Sequence, residues 1–222
     1  MSLLPIVYED GEAIVIDKPA GLPIDPPRNG GTSLANYLES LKLGFQRPPT
    51  AVHRLDTDTS GCLLMARNPK ALKRFAKAFE ERQVEKVYVG ILAGTVAEDE
   101  GEIALSLSKV STKEAGWRMI AARKGKPSLT RWRKLAEQDG QTLIEFRPET
   151  GRTHQIRIHA LAGLGAPLLG DPVYGNGKGA PRTMLHALSL KVEREGKPAI
   201  EAHAPLPADF ARLGFALREG DG

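Results

Sequence analysis

The 222-residue sequence holds one cysteine, Cys62. A single thiol rules out an internal disulfide and suits a reducing compartment. No window approaches the ~18 consecutive apolar residues of a membrane span. The N-terminus, MSLLPIVYEDGE, lacks the basic start and long apolar stretch of a signal peptide. The expectation is a cytoplasmic protein with no membrane partner. Nucleotide-binding signatures are also missing. There is no G-x-x-x-x-G-K-[ST] and no G-x-G-x-x-G after a strand, so a bound nucleotide cofactor is not supported. The glycine-rich GDPVYGNGKG lacks that spacing and reads as a loop. No G-x-S-x-G accompanies Ser60, which argues against a serine nucleophile. No H-E-x-x-H occurs among the histidines His53, His154, His159, His186 and His203. His154 and His159 would lie about 140° apart on a helix and on opposite faces of a strand, so neither arrangement chelates a metal. No metal is expected.

What is present begins with charge. The chain carries 31 Lys/Arg and 27 Asp/Glu, a net of +4, with an ordinary hydrophobic fraction of 41%. Residues 106–135, SLSKVSTKEAGWRMIAARKGKPSLTRWRKL, hold nine of the basic residues and one acid, Glu114. Taking these from the totals leaves 22 basic and 26 acidic residues elsewhere, so the whole positive surplus sits in this segment. Trp117 and Trp132 are interleaved with it. Cations hold phosphates and aromatic rings stack on bases, which suits a nucleic-acid surface. A solvated basic hairpin with both tryptophans in the core explains the same residues.

PIVYE and AIVID, around a DG turn, read as two short strands, and KPAGLPIDPPRNGG as a loop. TSLANYLESL spaces Leu34, Tyr37, Leu38 and Leu41 for a helix, with Thr32 as N-cap. CLLMA is a buried strand in which Cys62 is a packed residue rather than a catalytic thiol. NPKALKRFAKAFEER is the clearest helix: Asn68 caps it, Pro69 takes the first turn, and Leu72, Phe75, Ala76 and Phe79 form its apolar face. In VEKVYVGILAG, Val87, Val89 and Ile91 point one way, and Lys86, Tyr88 and Gly90 the other. TLIEF is a strand, THQIRIHALAGLG a helix ended by glycines, and MLHALSLKVE and PAIEAHAP are strands. Strands do not alternate regularly with crossover helices. The pattern predicts an α+β fold with a largely antiparallel sheet.

Two polar knots carry the chemistry. HRLDTDTSG, residues 53–61, places Asp56 and Asp58 among Arg54, Thr57, Thr59 and Ser60. A carboxylate beside cationic and hydroxyl groups stays ionised and can act as nucleophile or base. On isolated chemistry the same residues more commonly make an Asx-turn. TGRTHQIRIH, residues 150–159, places Arg152 where a helix would begin and Arg157 a little over one turn further on. A guanidinium at such a junction is a natural counter-charge for a carboxylate or phosphate.

With these segments in view, the sequence resembles the RluA-like pseudouridine synthases. HRLDTDTSG matches that family's His-Arg-Leu-Asp-x-x-Thr-Ser-Gly signature in full. VIDKPAGLPI, EKVYVGIL, ETGRTHQIRIHALAGLGAPLLGDPVYG, MLHALSL and AHAPLPADF resemble its other segments in order. The resemblance implies an α+β catalytic domain over 1–222, with no separate N-terminal RNA-binding domain. It implies isomerisation of uridine to pseudouridine in a structured ribosomal or transfer RNA stem-loop, without cofactor or metal. No required protein partner is implied, and a monomer is expected. By position Asp56 is the catalytic aspartate, Tyr88 lies against the target base, and Arg152 pairs with Asp56. Asp58 falls at an open position of the signature and reads as structural. Arg54 is associated with the space left by the flipped-out uridine; flipping is required because a stacked base offers its faces to no buried carboxylate. His53, Thr59 and the basic residues Arg123, Lys124 and Lys126 complete the expected substrate-binding set. Two competing readings are an RNA-binding protein of the same fold without chemistry, and a DNA-acting base-flipping enzyme, which would lack its usual zinc motif here.

Overall fold

A computed structural model describes residues 4–27, 29–112, 116–218 and 220. Glu114, the lone acid of the basic segment, and Lys113 beside it lie outside the described residues. In chain order the elements are β1 (Ile6–Glu9), β2 (Ala13–Lys18), β3 (Thr50–Ala51), β4 (Ser60–Ala66), α1 (Pro69–Glu80), β5 (Val84–Leu92), β6 (Glu100–Thr112) and β7 (Gly116–Ala121). They continue with β8 (Lys126–Gln138), β9 (Gln141–Pro148), α2 (Gln155–Leu164), β10 (Leu185–Val192), β11 (Ile200–His203) and α3 (Ala208–Arg212). The chain forms two compact units: Met1–Lys86 with His186–Leu206, and Val87–Leu185 with Pro207–Gly222. The fold is α+β with mostly antiparallel pairing, as the pattern predicts.

In the first unit the strand order is β1-β2-β4-β10, with β3 on β4 and β11 on β10. The β1–β2 hairpin closes because the Asp10 carboxylate accepts the backbone N–H groups of Glu12 and Ala13, both at 2.8 Å. Every residue of β4 is buried, which is why after Ser60 its sequence is an apolar run rather than an alternation. It runs antiparallel to β2 and parallel to β10. Cys62 is buried in it, and burial pushes its thiol up to about 12, so it is a packing residue. Helix α1 begins as expected, with the Asn68 side chain accepting the Ala71 amide at 2.9 Å. Its buried face is Ala71, Phe75 and Ala78, flanked by Leu72 and Phe79. Ala76, expected on this face, is exposed. The stripe is rotated toward Ala71 and Ala78, which share one core cluster with Phe75 and with Cys62, Leu64 and Ala66 of β4.

The helix expected over TSLANYLESL is instead two single-turn 3-10 pieces, Leu34–Tyr37 and Ser40–Lys42. The N-cap is Ser33 rather than Thr32. The Asn36 side chain turns back to accept the Ser33 amide at 2.9 Å, and only Leu34 and Leu41 of the four apolar positions are fully buried. So little packing cannot support a longer helix against its nucleation cost.

The second unit is an antiparallel sheet in the order β5-β9-β8-β6-β7. Its core gathers Trp132, Ile144, Phe146, Ile103, Ile156 and Leu168. Gly101 lies opposite Trp132, where a Cβ would stand 3.1 Å from the indole nitrogen. The first six residues of α2, polar ones included, are all buried, and Gly165 in the left-handed region (φ 75°) ends the helix. No helix among the described residues is long and apolar enough to cross a membrane.

Candidate active site

HRLDTDTSG links β3 to β4 in the first unit. A tight turn over Asp56–Thr59 closes when the Thr59 amide donates to the Asp56 carbonyl at 3.1 Å. Asp56 and Asp58 are half-buried, while Thr59 and Ser60 are buried. Three groups fix this turn from outside it. The Gly21 amide donates to the Thr57 carbonyl at 2.9 Å. Lys18, fully buried at the end of β2, donates its ammonium to the same carbonyl at 3.0 Å and to those of Pro19 and Leu22 at 2.9 and 2.8 Å. The KPAGL loop and the aspartate turn are therefore tied by one cation. The third is His186 of β10, whose Nδ1 lies 2.9 Å from the Ser60 hydroxyl while its Nε2 faces the Ala204 carbonyl at 3.4 Å. Sequence reasoning gives Lys18 and His186 no role. A lysine closing an apolar strand and a histidine inside another are the signals that point to them.

The glycine that closes the signature has a steric reason. Gly61 has φ +106°, and a Cβ there would stand 2.1 Å from the Ala187 carbonyl oxygen on the adjoining parallel strand.

His53 is half-buried. Its ring stacks on Phe79 with centroids 4.6 Å apart, and its Nε2 accepts the Leu64 amide at 3.0 Å. Burial, helped by the charge of Lys86, pushes its imidazole down to about 3, so it stays neutral and can accept that bond. Both ring functions are engaged inside the unit. Arg54 is different: its side chain is 81% exposed and 3.5 Å from the Asp25 carboxylate. It stands with His53 at an apolar cavity of about 530 Å³ walled by Ile24, Leu34, Leu38 and Pro49. Lys86, on β5, is half-buried, and burial pushes its ammonium down to about 8.

The second unit holds the other expected residues. Tyr88 on β5 is half-buried, stands opposite Phe146 of β9, and packs on the core cluster around Ile144. Arg152 lies in the turn before α2. Gln155 holds that turn: its Oε1 accepts the Arg152 amide at 3.0 Å and the Thr150 hydroxyl at 2.7 Å, and its amide donates to the Leu129 carbonyl and the Thr130 hydroxyl. The Arg152 Nε donates to the Pro127 carbonyl at 3.2 Å.

Arg157 makes a buried two-point ion pair with Asp171, both bonds at 2.7 Å. Asp171 also accepts the amides of Val173 and Tyr174, and the Tyr174 ring lies 4.9 Å from the Arg157 guanidinium. GDPVYG, a plain loop by its sequence, thus carries the counter-charge of the α2 arginine. His159 is buried against the Ser128 hydroxyl at 2.8 Å, and burial pushes it down to about 4.

The basic segment spans β6, β7 and β8. Arg123, Lys124 and Lys126 are exposed around the turn between β7 and β8, which closes by the Gly125 amide donating to the Ala122 carbonyl at 2.8 Å. Trp132 is in the core, but Trp117 is 47% exposed, so the picture of a solvated hairpin with both tryptophans buried holds for one of them only. Among the described residues no group of three or more His, Cys, Asp or Glu side chains is placed to hold a metal ion.

The fold matches that of pseudouridylate synthase domains. A human RNA pseudouridylate synthase domain-containing 4 structure superposes with TM-score 0.78 at 24% identity over 95% of this chain and 93% of that one. Human RNA pseudouridylate synthase domain-containing 1 superposes with TM-score 0.75 at 32% identity over 91% and 83%. Residues 12–162 match the family model described as RNA pseudouridylate synthase. An uncharacterized RNA pseudouridine synthase of Zymomonas mobilis is 53% identical over 95% of this chain and 97% of its own length. Ribosomal large subunit pseudouridine synthase D of Haemophilus ducreyi is 34% identical over 97% of this chain and 71% of its own. The chain belongs to the RluA-like RNA pseudouridine synthase family, and its activity is the isomerisation of uridine in RNA.

Proposed function

We propose that this enzyme converts a uridine of structured large-subunit ribosomal RNA to pseudouridine, with Asp56 as the catalytic carboxylate. The bond from N1 to the ribose breaks, the uracil turns, and C5 bonds to the same ribose carbon. The C5 proton leaves and N1 takes one up, so the reaction needs no net oxidant or co-substrate. Asp56 serves the ribose or the base as nucleophile or base. Tyr88 lies against the uracil, Arg152 is the further catalytic residue, and Arg54 occupies the space vacated by the flipped base. Arg123, Lys124 and Lys126 hold phosphates.

The observation that carries this reading is the turn at Asp56. A lysine ammonium, a glycine amide and a serine–histidine pair fix a nine-residue polar loop whose aspartate is only half-buried. A mere surface turn needs no such support. Ribosomal RNA is preferred to transfer RNA because relatives such as synthase D of Nitrosomonas europaea, 36% identical over 97% of this chain, are named for the large ribosomal subunit. The test is release of tritium from RNA labelled at uridine C5, with large-subunit ribosomal RNA and bulk transfer RNA offered separately. Release from the ribosomal RNA, lost in Asp56→Asn while RNA binding persists, supports the proposal. Release from transfer RNA alone moves the substrate. Full activity in Asp56→Asn removes the aspartate.

A further inference from the structure

An exposed tryptophan alone says little, since single exposed apolar side chains are common. Trp117 is not alone. On the β6–β7 hairpin it stands opposite Ser111, and Met119 stands opposite Lys109. By strand alternation these four side chains share one face. Met119 is buried on that face against Ile158 of α2, beside Tyr174. The hairpin is therefore docked, and Trp117 sits one step beyond the docked residue.

What backs the indole is polar and held in place. His154 stacks on it with centroids 5.0 Å apart and planes 27° apart. The His154 backbone is in the left-handed region (φ 53°), and its Nδ1 is 2.8 Å from the Tyr174 hydroxyl. That hydroxyl also accepts the Met119 amide at 3.0 Å, so one tyrosine joins hairpin and histidine. Tyr174 in turn lies on the guanidinium fixed by Asp171. The exposed Lys109 holds its ammonium 4.8 Å from the indole centroid. A rigid aromatic ring with a cation beside it, in a segment whose only acid is Glu114, fits an electron-rich planar ligand on a phosphate chain.

We propose that Trp117, backed by His154, is a stacking platform for an unpaired nucleobase of the RNA substrate. This rests on the reading that the basic segment binds that RNA. The base stacks on the exposed part of the indole, and Lys109 turns from the ring toward the neighbouring phosphate. Because Tyr174 and His154 already hold the ring, little side-chain freedom is lost on binding. The platform would make this enzyme prefer an RNA with an unpaired loop over a paired duplex, a distinction phosphate contacts alone do not make.

The test uses the full chain, an RNA hairpin with an unpaired loop, and a duplex of the same stem. Trp132 is buried, so fluorescence quenching on RNA binding reports chiefly Trp117. Loop RNA should quench it more than duplex. Trp117→Ala should bind the loop RNA about 5- to 150-fold more weakly, the range for losing one base–aromatic stack. Its duplex affinity and the slope of affinity against salt should stay at wild-type values, since every phosphate-binding cation is still present. Trp117→Phe should keep most of the loop preference and controls for folding. Equal affinity of Trp117→Ala and wild type for the loop RNA overturns the platform. So does an equal loss for loop and duplex while Trp117→Phe behaves as wild type. Wild-type enzyme that binds neither RNA overturns the underlying reading of the basic segment as well; wild-type binding and turnover with no Trp117 effect leaves that reading intact and sinks only the platform.

Discussion

Asp171→Asn is expected to destabilise the second unit by about 3–5 kcal/mol, the cost of removing one partner of a buried ion pair and stranding the charge of the other. Asp171 is fully buried and Arg157 is 7% exposed, so water cannot take the place of the lost carboxylate charge. Two short bonds to the guanidinium and two to backbone amides are weakened together. Against a typical total of ~5–15 kcal/mol this is a large share. In urea, with a slope of about 2–3 kcal/mol per molar for a protein of this size, the midpoint should fall by roughly 1–2 M. Fluorescence of Trp132, in the core of the same unit, follows the transition. Acid gives a second arm. Burial pulls the Asp171 carboxyl up, but the hydrogen bonds and charge of Arg157 outweigh it and hold the group below its ordinary 3.8. A carboxylate so depressed stabilises the fold above its unfolded value and loses that contribution as pH falls through its folded value. Wild type and Asp171→Asn should therefore converge in stability below about pH 4. Replacing both partners with apolar residues, Arg157→Met with Asp171→Leu, strands no charge and should cost less than the single change. A loss under about 1 kcal/mol at pH 7, or a difference that persists undiminished in acid, would refute this account of the pair.

Gly61→Ala should fold poorly or melt far below wild type, because both its φ and the Ala187 carbonyl forbid a Cβ; a melting point within a few degrees of wild type would contradict that. Lys18→Met leaves the carbonyls of Pro19, Leu22 and Thr57 without their ammonium, at about 1–3 kcal/mol for each one left unsatisfied. It should lower turnover as well as stability, and stability lost with turnover per folded molecule intact would separate Lys18 from the aspartate turn. Arg152→Lys keeps the charge but loses the planar fork, and tritium release should fall at least about tenfold with the fold preserved; a rate near wild type removes Arg152 from the site. Neutralising Arg123, Lys124 and Lys126 together should lower the slope of log affinity against log salt by about 0.7–0.9 for each phosphate no longer neutralised. An unchanged slope would return that turn to a solvated role.

Much of the local structure is legible in the chain itself. Asn68-Pro69 announces the start of α1, and the alternation through Val87–Ile91 announces β5, because capping and strand periodicity depend on neighbours a few residues away. The nine residues from His53 to Gly61 point to the family by their types and order. Other assignments depend on partners distant in sequence. The helix expected over TSLANYLESL breaks into single turns because burial, decided by the rest of the first unit, supports only two of its leucines. His53 is the clearest such case: its type and place in the signature suggest substrate, while the fold presents its ring to Phe79 and the Leu64 amide. Trp117 and Trp132 are equivalent in composition, yet one lies in the core and the other meets water on His154, because only strand register decides which face each takes. Gly61 needs its lack of a side chain because of Ala187, 126 residues away, and Ser60 meets His186 across the same span. A carboxylate's type and sequence neighbours can be read from the chain, but the groups that hold it still are assembled only when distant strands pair.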